Sequence, residues 1–100
     1  MTSVCLLLWA IGSASTVWAS EELARQRQCL GCHAVERKLV GPALRDVAAR
    51  YKGQPEAVAR LSAKIQAGGA GSWGVVPMPA NHKLTPQEAQ RLAAWVLTLR

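Results

Sequence analysis

The chain has 100 residues, half of them apolar, and 12 Lys and Arg against 6 Asp and Glu give a formal net charge of +6. That length holds one small domain, and an unaided core of that size is thin. The basic residues are scattered with no basic run, which argues against nucleic-acid binding, whereas a basic carrier would be steered to an acidic partner surface.

Residues 2–19 carry no charge and include the apolar run Val4-Cys5-Leu6-Leu7-Leu8-Trp9-Ala10-Ile11. The segment ends in Val17-Trp18-Ala19, the small-residue ending of a signal-peptidase site. It falls short of the ~20 apolar residues of a membrane span, and Gly12-Ser13-Ala14-Ser15-Thr16 weakens it further. The expectation is a signal peptide over residues 1–19, cut after Ala19 and taking Cys5 with it, and a mature domain over residues 20–100. No Lys or Arg precedes the apolar core, although a positive start is usual for such segments; an uncleaved anchor is the alternative.

Ser20 is placed to cap a first helix whose opening turn holds Glu21 and Glu22, favoured at the positive end of the helix dipole. Next come Cys29-Leu30-Gly31-Cys32-His33. A loop containing Gly41-Pro42 follows. Leu44, Val47, Ala48 and Tyr51 then repeat at helical spacing and predict a second helix ended by Gly53. Pro55 fits the first position of a third helix, with Val58, Leu61 and Ile65 on one face and Gly68-Gly69 as its stop. Residues 68–84 have little claim to regular structure, yet Trp73, Val75, Val76, Pro77, Met78 and Pro79 are too apolar to be left in water. Thr85-Pro86-Gln87-Glu88 is a capping box opening a last helix, with Leu92, Ala93, Val96, Leu97 and Trp95 facing inward. No convincing strand occurs, so the fold class is all-α, about four helices.

C-x-x-C-H is the signature of covalent c-type haem attachment. Cys29 and Cys32, three apart on a helical turn, face the same way and can each add to one of two vinyl groups on a porphyrin edge. His33 can then present a ring nitrogen to the iron. A dithiol redox site would need a βαβ setting that is lacking. Zinc would need four ligands, and beyond residue 19 only Cys29, Cys32, His33 and His82 are on offer. One covalently bound haem c also remedies the thin core. For the sixth iron position, Met78 lies between two prolines, and His82 is the rival. The neighbours of His82, Asn81 and Lys83, point to an exposed place, so Met78 is preferred.

The run Cys32-His33-Ala34-Val35, then Val40-Gly41-Pro42-Ala43, Asp46-Val47-Ala48-Ala49, Trp73-Gly74, Pro77-Met78-Pro79 and Glu88-Ala89-Gln90 resembles the small bacterial class I cytochromes c of the cytochrome c-551 type. The resemblance covers nearly all of residues 20–100. It implies a class I cytochrome c fold around one haem, with thioethers at Cys29 and Cys32 and axial ligands His33 and Met78. It further implies that the Pro42 carbonyl accepts a hydrogen bond from His33, and that Trp73 reaches a haem propionate with Lys64 as a charge partner nearby. Asn81 would hydrogen-bond near the Met78 sulfur. Two departures are Ala24, where relatives often place an aromatic, and an extra residue between Asn81 and the last helix.

The implied role is a monomeric periplasmic one-electron carrier. Its partners would be redox proteins such as a nitrite reductase, a terminal oxidase, a peroxidase or a quinol-oxidising complex. With both axial positions filled it would not be an enzyme. A cytochrome subunit of an anchored oxidase or reductase, a haem sensor and a peroxidase subunit are the other readings. On the preferred one, the intact mass of the exported protein equals residues 20–100 plus one haem; a mass that retains residues 1–19 would establish the anchor instead.

Overall fold

The computed structural model describes residues 14–100, with side chains from Ser20 onward. The apolar run and Cys5 lie outside the described residues. Four α-helices occur among them: α1 Ala14–Gln26, α2 Leu44–Tyr51, α3 Ala57–Ala67 and α4 Pro86–Val96. There is no strand among the described residues, and the extended backbone pairs only in one isolated antiparallel bridge, Gly69 with Met78.

The last helix organises the others. α4 starts as its sequence predicts: Thr85 Oγ1 accepts from the Glu88 N–H, Glu88 returns a carboxylate to the Thr85 N–H, and Pro86 occupies the first turn. Together these satisfy N–H groups that a helix start otherwise leaves orphaned. Leu92, Ala93, Trp95 and Val96 are buried on its inner face. They join Leu23 and Ala24 of α1, Leu44 and Val47 of α2, and Leu61 of α3 in one core cluster. α4 packs most extensively on α3, and also on α1 and α2. Ala24, where an aromatic was the expectation from the family, is fully buried, as is Ala93. Small side chains here let the helices approach closely where a larger ring would have to be accommodated.

α2 ends at Tyr51 and is followed by Gly53 at φ 75°, as the spacing predicts. α3 stops at Gly68, whose φ of 66° and ψ of −157° lie in a region essentially restricted to glycine. Two helix starts differ from expectation. α1 begins at Ala14, so Ser20 lies inside it and is buried rather than capping it. Extending a helix costs less than nucleating one, and the residues before Ser20 carry it through. Ser20 becomes a start only in a chain cut after Ala19. α3 begins at Ala57, and Pro55 falls outside it, because Glu56 takes a left-handed φ of 57° as the N-cap. Gln28, between α1 and the segment that follows, is the other described non-glycine residue with positive φ, at 65°.

The termini are tied together by charge. Arg27, just past α1, donates through Nη2 to both carboxylate oxygens of Glu88, at 3.1 and 3.4 Å. The Thr85 N–H and this guanidinium hold the Glu88 carboxyl below the usual carboxylate range. A carboxyl lowered on folding stabilises the native state above its unfolded value of about 4.3, and that contribution is lost as pH falls through the lower folded value. The stability gap between wild type and Glu88→Gln, measured by denaturant unfolding of the holoprotein, should therefore be widest near neutral pH and shrink as pH falls below the unfolded value of about 4.3. A gap independent of pH would show that the ionised carboxylate contributes nothing.

Candidate haem site

After α1 the chain forms a single 3-10 turn, Cys29–Gly31. In that geometry side chains three apart lie on one side, which suits Cys29 and the capping Cys32 to a shared partner. The turn is closed by the Cys32 and His33 N–H groups, which donate to the Cys29 carbonyl at 3.3 and 2.9 Å. Both thiols are free of disulfide, Cys29 half-buried and Cys32 exposed. Burial pushes the Cys29 thiol above its ordinary range, and the neighbouring Cys32 adds to the effect against a lowering backbone hydrogen bond.

The loop after His33 is closed by its own backbone onto the start of α2. Gly41 N–H donates to Cys32 O at 2.7 Å, Leu44 N–H to Ala34 O at 2.9 Å, and Arg45 N–H to Val35 O at 3.0 Å. The last two bonds satisfy N–H groups at the start of α2, where Ala43 has no side chain able to cap. Inside this clasp His33 Nδ1 lies 2.8 Å from the Pro42 carbonyl. A carbonyl only accepts, so Nδ1 carries the proton and Nε2 keeps its lone pair. Gly41 lets the ring lie against the backbone, since a Cβ there would overlap its Cε1, Nδ1 and Nε2 atoms.

Met78 is half-buried and its backbone pairs with Gly69: Gly69 N–H to Met78 O at 2.9 Å and Met78 N–H to Gly69 O at 2.8 Å. Downstream, Asn81 Nδ2 donates to Arg27 O at 3.1 Å, and Asn81 Oδ1 accepts from the Lys83 N–H at 3.3 Å. Asn81 thus ties its loop to the backbone just beyond the end of α1. His82 is exposed. Trp73 is 39% exposed and is covered on one face by the Arg50 guanidinium, 3.5 Å from the ring centroid. Arg50 Nη1 also donates to Ser72 O. Lys64, half-buried, directs Nζ toward the open side of Gly69.

Leu39, Val40, Val58, Trp73, Val75 and Val76 are all exposed apolar side chains, an unusual number for so small a domain. Residues 19–100 match the cytochrome c family. The chain belongs to that family. Cytochrome c-552 of Hydrogenobacter thermophilus is 45% identical over 95 residues, 95% of this chain and 96% of that one. Cytochrome c-551 of Pseudomonas denitrificans is 48% identical over 80 residues, 80% of this chain and 96% of that one. The crystal structure of wild-type Nitrosomonas europaea cytochrome c552 matches with a TM-score of 0.78 at 45% identity, over 80% of this chain and 99% of its own.

As a cytochrome c of the class I all-α fold, the protein carries one covalently bound haem c and is an electron carrier. Its residues fit that group. Two free thiols share one side of a turn, a histidine is held with one nitrogen available, and surplus apolar surface lies on the loops. Zinc fares worse: no cluster of three or more His, Cys, Asp or Glu side chains suited to a metal ion forms among the described residues.

Arg50 was not legible as a site residue, because its partners Ser72 and Trp73 are more than twenty positions away and follow no local pattern. Gly41 was visible as a loop glycine within the motif at residues 40–43 and Gly69 as part of the α3 stop; their close approaches emerge in three dimensions. Replacing Cys29 or Cys32 by Ala should leave little stable holoprotein, while wild type matured in a haem-competent oxidising host should stain for haem on a denaturing gel. Absence of stain in wild type would refute covalent attachment.

Proposed function

We propose that this cytochrome c is a periplasmic one-electron carrier, exported by residues 1–19 and ligating its haem iron through His33 and Met78. The observation that carries the reading is the pairing of two held donors: a His33 ring fixed by Pro42 with Nε2 available, and a Met78 pinned by Gly69. Such a haem supplies a one-electron Fe(III)/Fe(II) couple, with a higher potential under His/Met than under bis-histidine ligation.

The chain's own part is to orient and to exclude. Pro42 keeps the proton on Nδ1, which orients the imidazole and raises its donor strength. Rigid prolines at 77 and 79 and the paired backbone limit the freedom of the Met78 thioether, so His33 and Met78 would hold both iron positions and leave no place for a substrate there. Exposure of His82, and the tethering of its loop through Asn81, support Met78 over His82 as the sixth ligand. Trp73 and Lys64 are the residues proposed to meet a propionate. Electrons would pass, from a monomer, to or from a nitrite reductase, a terminal oxidase, a peroxidase or a quinol-oxidising complex. No helix among the described residues is long and apolar enough to cross a membrane.

The ligand assignment decides carrier against enzyme or sensor. The ferric protein should be low-spin with a weak far-red sulfur-to-iron charge-transfer band. Met78→Ala should abolish that band, lower the reduction potential and open the reduced protein to carbon monoxide. His82→Ala should change none of these. The reverse pattern would make the protein a bis-histidine cytochrome of lower potential.

A further inference from the structure

The end of α3 makes contacts that helix termination alone does not require. Gly68 is its C-cap, with N–H donating to Lys64 O at 2.8 Å. A Cβ built on Gly68 would overlap the Met78 carbonyl oxygen and would lie 2.7 Å from Ala80 N and 2.8 Å from the Pro79 carbonyl carbon. The backbone of residues 78–80 therefore rests directly on Gly68, with no room for a side chain between them. The next residue, Gly69, makes the reciprocal pair of hydrogen bonds to Met78. Gly53, Gly71 and Gly74 also have positive φ, yet nothing lies within 4 Å of where their Cβ would be. Among the described glycines of positive φ, only Gly68 has the backbone of the Met78 segment where its Cβ would stand.

We propose that Gly68 is a positioning residue for Met78: its missing side chain lets the last turn of α3 bear the Met78 backbone, and so fixes where the thioether is presented. The proposal rests on Met78 being the sulfur ligand. Because α3 is the helix packed most extensively on α4, the sulfur is then referenced to the most extensively packed pair of helices rather than to its own loop. A methyl group at Gly68 cannot yield at the far end of a flexible side chain; the neighbours are all backbone, so the 78–80 segment itself must move.

The test compares Gly68→Ala with Gly53→Ala in the holoprotein. Both variants place a Cβ on a backbone with positive φ, but only the first meets the Met78 segment, so a purely structural effect would appear in both. Gly68→Ala should weaken the far-red charge-transfer band and raise the fraction of reduced protein open to carbon monoxide at least tenfold, about 1.4 kcal/mol in the ligation equilibrium. Gly53→Ala should lower stability without changing either. Retention of the band in Gly68→Ala, or its equal loss in both variants, overturns the proposal. If Met78→Ala also keeps the band, the ligand reading itself has failed; if Met78→Ala loses it while Gly68→Ala keeps it, only the role of Gly68 has. Should Gly68→Ala not fold, amide hydrogen exchange in wild type decides. Protection of the Met78 and Gly69 amides comparable to the α3 and α4 core supports the bridge as a rigid mount, and exchange at the rate of exposed loop amides overturns it.

Discussion

A hydrogen bond of 2.8 Å, from His33 Nδ1 to the Pro42 carbonyl, sits where three local structures meet. It spans the same loop whose ends are clasped by the Cys32–Gly41 and Ala34–Leu44 backbone bonds. Those bonds supply acceptors for the start of α2, which has no side-chain cap of its own. The imidazole packs on Gly41, so the ring, the loop and the first turn of α2 cannot be altered separately. Histidine orientation is thereby built into the folding of a helix. The group that most needs a defined tautomer receives it from backbone that must be satisfied in any case.

The segment that carries Met78 is assembled on different terms. Residues 69–81 have almost no regular structure, and order comes from attachments at the two ends. One is the backbone pairing of Gly69 with Met78; the other is the Asn81 amide on the Arg27 carbonyl. Between them, Arg50 of α2 holds Ser72 and covers Trp73. The same Arg27 joins α1 to the capping box of α4 through its side chain. One residue thus serves the interface of the terminal helices with its guanidinium and the Met78 loop with its carbonyl. Loop and helix pair share an anchor.

Much of this was legible from the chain itself. The capping box at Thr85, the glycine stops at residues 53 and 68, and the apolar spacing of α2 and α4 are local signals, and local bonds bear them out. The attachment motif was plain because its chemistry demands a fixed spacing. What escaped were features whose cause lies elsewhere in the fold. Pro55 looked like a helix start, but the turn from α2 needs Glu56 in a left-handed conformation, which shifts the start to Ala57. Ser20 looked like a cap because it precedes two acidic residues, yet a helix already under way passes through it. Arg50 gave no signal and Gly68 only that of a helix stop, since their further roles depend on which loop arrives beside them. The bond from Asn81 to the Arg27 carbonyl gave no signal either, since that partner is set by where α1 ends.

Gln28 and Glu56 hold positive φ without being glycine. For an ordinary L-residue the left-handed conformation costs roughly 1–2 kcal/mol, so the chain carries a standing penalty at both junctions. Against a whole-domain stability of about 5–15 kcal/mol that is an appreciable share. Gln28 caps the turn that carries Cys29, so its penalty is bound up with haem attachment, whereas Glu56 caps α3, well removed in sequence from the attachment motif. Evolution has therefore left a thermal reserve untapped at one of the two. A lineage moving to hotter surroundings could raise its melting temperature through one glycine at position 56.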